Sequence, residues 1–160
     1  MKQIITLFLL LTFCYVKSQK LSKLDSTVLN KLDCEVISTL IEEKINKLRA
    51  DSGLQTLTLN IKLKKGALTN SKNSVKYNTV VHTQKGKFSE ITLMFANVLS
   101  VKGLTNEFLA KIFVSEWLDS PPHKKLIYQK DVKEFGCGTV FEIRRESFNW
   151  VYFWSSVRFH

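Results

Sequence analysis

Apolar positions recur along this chain with two different periods. From about Asp33 to Asp51, Cys34, Ile37, Ile41, Ile45 and Leu48 fall at steps of three and four, while Glu42, Glu43, Lys44, Lys47 and Arg49 lie off that stripe. The spacing predicts an amphipathic helix with one buried face. Ser52-Gly53 closes it, because glycine tolerates the left-handed stop conformation. Leu54 to Asn60 reads as an extended connector, and Asn60 can cap a second helix over about Ile61 to Tyr77. There Leu63, Ala67, Ser71 and Val75 repeat every four residues among lysine, asparagine and threonine. Such a helix has poor intrinsic propensity and depends on tertiary packing. Asn78 to Gly103 has no clear period; it holds His82, a turn at Gly86 and the apolar run Ile91 to Val101. Thr105 can cap a third helix, whose Phe108, Leu109, Ile112, Phe113 and Trp117 form a wide apolar face. Asp119-Ser120-Pro121-Pro122 breaks it, and a short helical turn over His123 to Tyr128 follows.

The last thirty residues change to a period of two. Phe135, Cys137, Thr139, Phe141 and Ile143 alternate with Gly136, Gly138, Val140 and Glu142. After Arg144 to Ser147, Phe148 to Phe159 alternates again, with large residues on both faces. A strand apolar on both faces needs cover on both sides. Two long strands in a hairpin, with helices before them, therefore predict an α+β fold: an α-β-α sandwich with a central antiparallel sheet.

The first residues follow neither period. Ile4 to Phe13 is apolar except for Thr6 and Thr12, with Met1-Lys2-Gln3 before it and Val16-Lys17-Ser18 after it. A bilayer crossing needs about 20 apolar residues. The run is too short for that and suits a signal peptide over residues 1–18, cleaved after Ser18. Flanking lysines argue against a buried N-terminal helix, and bulky Phe13 argues against lipidation at Cys14. The expectation is a secreted protein, periplasmic or extracellular, in which residues 19–160 form one domain large enough to hold its own core. Gln19 to Leu32 reads as a polar lead-in.

The chain carries a formal charge of +10. Lys62, Lys64, Lys65, Lys72, Lys76, Lys85 and Lys87 crowd one region, and a positive stripe can attract nucleic acid or an anionic envelope. The aromatics cluster elsewhere, at Phe148 to Phe159, so the lysines read as a solvated surface and nucleic acid is not an expected partner. Cleavage would remove Cys14, leaving Cys34 and Cys137. In an oxidising compartment that pair is open to one disulfide, and equally to two small buried side chains.

Four strings, taken in order, resemble the CAP superfamily: cysteine-rich secretory proteins, antigen 5, plant pathogenesis-related proteins and their bacterial relatives. Ile45-Asn46-Lys47-Leu48-Arg49, with Gly53-Leu54 and Leu57, resembles the opening helix and its exit. Leu63, Ala67 and Ser71 stand where the second helix has leucine, alanine and serine. Trp117-Leu118-Asp119-Ser120-Pro121-Pro122-His123 resembles the bacterial W-x-N-S-P-G-H string, and Phe135-Gly136-Cys137-Gly138 the start of a core strand. The resemblance runs from about Leu40 to Phe159.

This resemblance implies an exported domain with a cleft holding two histidines and acidic residues. His82 and His123 match the histidines. The G-E-N motif has Phe95-Ala96-Asn97 as its counterpart, so alanine replaces the glutamate and Asn97 remains. Ser120 matches the bacterial serine. The implied function is non-enzymatic binding of a lipid, a peptide or an envelope component in a degenerate cleft of His82, Asn97, Ser120 and His123. The alternative is a secreted hydrolase or a divalent-metal-dependent enzyme using His82 and His123. No G-x-S-x-G, H-E-x-x-H or reactive-cysteine pattern accompanies them. A catalytic zinc takes three protein ligands, which would require Glu90, Glu107 or Glu116 as the third. No catalytic residue and no cofactor are therefore expected, and divalent metal is expected to bind weakly at most.

Overall fold

The computed structural model describes residues 30–83, 87–98, 104–145 and 149–160, with the backbone alone at 97, 98, 145 and 149. The leader assigned to residues 1–18 lies outside the described residues. Eight elements follow in order: α1 (Cys34–Asp51), β1 (Thr58–Leu59), α2 (Ile61–Tyr77), β2 (Ser89–Val98), α3 (Asn106–Asp119), α4 (Pro121–Ile127), β3 (Glu134–Arg145) and β4 (Asn149–Phe159). Short-range chemistry starts each long helix. Asp33 Oδ1 accepts the Glu35 and Val36 N–H groups, Asn60 Oδ1 those of Lys62 and Leu63, and Thr105 Oγ1 that of Phe108. At the other end of α2, Asn78 takes the left-handed conformation with φ 52°.

The strands form one sheet in the order β1-β3-β4-β2. β4 lies antiparallel to both neighbours, with Phe153 opposite Phe141 and Phe95. The aperiodic run is the origin of β2. Its neighbours Ile91 and Thr92 are both buried although they point to opposite faces, so alternation is masked. One expectation needs correction: the sheet is not wholly antiparallel. The connector after α1 pairs parallel with β3, Thr58 with Glu134 and Leu59 with Phe135. α1 and α2 occupy opposite layers, and the chain crosses between them along the sheet edge beside β3.

On one face Val151, Phe153, Val157 and Phe159 pack with Ile37, Ile41, Ile45, Phe113 and Trp117 in the main core. Trp117 is fully buried there, its ring 5.8 Å from that of Phe113. On the other face α2 lies directly on the sheet. A Cβ added at Gly136 or Gly138 would collide with the backbone of Lys64 or Leu68, so only glycine allows this approach. Ser71 Oγ–H then donates to Gly138 O at 2.6 Å, and buried Asn70 donates to Thr92 and Ser156 hydroxyls at 3.1 Å. These polar contacts hold a helix whose own sequence favours it little.

β1 covers only the start of β3, and α1 covers the next stretch with side chains. Glu42 Oε1 accepts Cys137 N–H at 2.8 Å and Ser38 Oγ accepts Thr139 N–H at 3.0 Å. By the same spacing Cys34 falls opposite Phe141, whose N–H partly offsets the effect of burial on the Cys34 thiol. Four helical residues rise about 6.0 Å and two strand residues about 6.6 Å, so acceptors spaced by four match donors spaced by two. Glu42 and Arg49, expected off the buried stripe, are therefore buried. Glu42 serves the strand edge, and Arg49 donates to the carbonyls of Gln55, Ile127 and Gln129. The same register separates the cysteines. Cys34 serves position 141, four residues or about 13 Å along the strand from Cys137, whereas a disulfide needs Cα atoms within about 7 Å. Both are free thiols in this structure. Among the described residues no helix is long and apolar enough to cross a membrane.

Candidate functional site

His82 lies between α2 and β2 in a segment fastened on both sides. Asn70 Nδ2–H donates to Val81 O at 2.7 Å, and Thr83 N–H donates to Glu90 Oε2 at 2.8 Å. His123 stands in the first turn of α4, where Pro121 and Pro122 start the helix in positions that need no N–H bond. Ser120 is the N-cap of α4; its carbonyl accepts Lys124 N–H, and its side chain makes no cap bond. α4 packs against α3 and β2. A loop from the α2 layer and a helix from the opposite layer thus lie on the two sides of β2, with His82 close enough to act electrostatically on His123.

The two histidines are brought together. His82 is exposed and His123 half-buried. Burial, and then the charge of His82, push the His123 pKa below its ordinary value. Among the described residues neither ring has a hydrogen-bond partner in the protein. Asn97 belongs to the backbone of β2, opposite Val151, and Ala96 is opposite Tyr152.

The carboxylate beside the His82 segment is Glu90, which the sequence pattern marked only as a third metal ligand. Its Oε1 accepts Arg158 Nε–H at 2.7 Å while Oε2 holds Thr83. Arg158 also donates to Thr83 Oγ1 at 3.0 Å and stacks 4.1 Å over the Phe88 ring. Glu90 is therefore a clamp for the loop. The available signal was an acid opening an apolar run, which cannot reveal an arginine 68 residues away. Glu107 and Glu116 are exposed on α3, Glu107 facing Lys44 at 3.5 Å. Among the described residues no three His, Cys, Asp or Glu side chains are grouped to hold a metal ion.

Two hollows lie away from the histidines. One of about 440 Å³ separates α1, α2 and β3, lined by Cys34, Ser38, Lys64, Leu68 and Cys137. Burial pushes the Cys34 thiol to about 11 and Cys137 to about 12, so neither supplies a thiolate near neutral pH. The other, about 300 Å³, lies between α1 and α3 over Leu48, Val114 and Leu118. Among the described residues no nucleophile is hydrogen-bonded to either histidine.

The family model described as the cysteine-rich secretory protein family, CAP, matches residues 42–155. No curated protein matches the chain by sequence. Its fold is similar to that of an outer surface protein from Borrelia burgdorferi, with 18% identity and a TM-score of 0.52 over 81% of this chain and 96% of that one. A cysteine-rich secretory protein from Staphylococcus aureus matches at 16% identity and a TM-score of 0.42, over 77% of this chain and 38% of that one. An extracellular protein containing a SCP domain from Bacillus anthracis matches at 16% identity and a TM-score of 0.46, over 73% of this chain and 39% of that one. This chain spans less than half the length of those two.

Proposed function

Because this chain belongs to the cysteine-rich secretory protein family, we propose that it is a secreted binding protein that takes its ligand at the His82–His123 cleft without chemically transforming it. The observation that supports this reading is the proximity of two imidazoles that, among the described residues, have no hydrogen-bond partner in the protein. Hydrolysis needs a base aimed at a nucleophile or a water activated by one. A catalytic zinc needs a third ligand, and the nearby carboxylate of Glu90 is engaged by Arg158 and Thr83. What remains is a pair of rings, one of them held toward its neutral form, able to donate and accept hydrogen bonds to a ligand. Ser120 caps the α4 turn that carries His123 and joins the proposed cleft, whereas Asn97 stands seven residues, about 23 Å, along β2 from the Glu90 that clamps the His82 loop and lies outside it.

Zinc calorimetry on protein beginning at Gln19 tests the reading against a metal-dependent enzyme. The expected result is no tight binding that depends on both histidines. Tight binding abolished equally by His82→Ala and by His123→Ala would overturn it.

A further inference from the structure

The two edges of the sheet are treated differently. The β3 edge is covered by β1 and by the Glu42, Ser38 and Cys34 side chains of α1. β2 pairs with β4 along all 10 of its residues, and among the described residues no other backbone group bonds to it. Among the described residues its outer N–H and C=O groups are thus unpaired, and such groups form a template for another strand. Edges are ordinarily guarded by lysine, proline or an unpaired charge. Ser89–Val98, SEITLMFANV, contains no lysine and no proline. Its single charge, Glu90, is neutralised by Arg158 at 2.7 Å. Met94 is 37% exposed on one face of this edge, and Leu93 and Phe95 are half-buried on the other.

The surroundings of the edge are basic. Lys87 leads into β2, and Lys124 and Lys125 follow His123 on α4; all three are exposed. A second copy of the chain carries the same basic edge and the same overall excess of lysine and arginine, and like charge opposes that pairing. We propose that the outer edge of β2 takes an extended, acidic polypeptide segment as a fifth strand, alongside the His82–His123 cleft. This rests on the cleft reading above and names the ligand class. Main-chain hydrogen bonds to β2 would hold the segment, and its alternate side chains would meet Met94 on one face and the α4 lysines on the other.

The test uses an eight-residue peptide alternating glutamate and valine, capped at both ends, added to protein beginning at Gln19. Its controls are the same peptide N-methylated at alternate amides and a lysine–valine counterpart. The expected result is that the acidic peptide slows hydrogen exchange of alternate amides between Ile91 and Ala96 and shifts the His82 and His123 ring signals. N-methylation should weaken binding about tenfold or more, as loss of one or two hydrogen bonds requires. Equal binding of the N-methylated or the lysine peptide would overturn strand addition while leaving a cleft ligand in place. Protection of the edge without peptide, with concentration-dependent sedimentation, would assign the edge to a second copy and overturn the proposal. No binding of the acidic peptide would also overturn it, without touching the zinc test of the cleft.

Discussion

At His123 the surroundings alter the titration of a single residue. Burial and the neighbouring His82 both disfavour its charged form, so its pKa lies below the free value of about 6.5. In the unfolded chain it binds a proton more readily than in the folded one. Its contribution to stability is therefore complete above the unfolded value and is lost as pH falls through the folded one. His82→Ala removes the second cause and leaves the first. The His123 pKa should rise and remain below the ordinary value, as read from ring-proton chemical shifts across pH. An unchanged titration would show that the two rings do not interact. His82, Ser120 and His123 were legible as candidates because they stand in motif-like strings. The role of Glu90 was not, because a clamp is defined by Arg158 and Thr83 together.

Among elements, α1 is amphipathic in two senses. Its apolar stripe packs under the sheet, and a line of acceptors at Cys34, Ser38 and Glu42 meets the bare edge of β3. Ser38→Ala would leave Thr139 N–H buried without a partner, a loss of about 1–3 kcal/mol. Ser38→Thr keeps the hydroxyl and should lose less. Urea unfolding of the three proteins measures this, and an alanine variant within a few tenths of a kcal/mol of the parent would show that the edge does not need the cap. The stripe was legible from period alone. The acceptor line was not, since a glutamate off an apolar stripe ordinarily faces water. Likewise α2 reads as a poor helix, and its support comes from Gly136 and Gly138, which let its backbone reach the sheet.

For the whole molecule, the layers, the hairpin and the helix order agree with the pattern-based expectation, and the parallel β1 is the departure. The proposed leader over residues 1–18 concerns export rather than this fold. N-terminal sequencing of secreted material should begin at Gln19. Full-length protein beginning at Met1 in a washed membrane fraction would sink the proposed cleavage.

By itself the sequence determined the helices with their caps, the terminal hairpin and the family, because each of these rests on period, on capping chemistry within a few residues, or on ordered strings. Tertiary structure alone decided the burial of Glu42 and Arg49, the separation of Cys34 from Cys137, the identity of β2 and the meeting of His82 with His123. The reason is physical. An apolar period records that one face is covered, whereas a buried polar group, a strand edge or a cleft is defined by what a distant element brings to it.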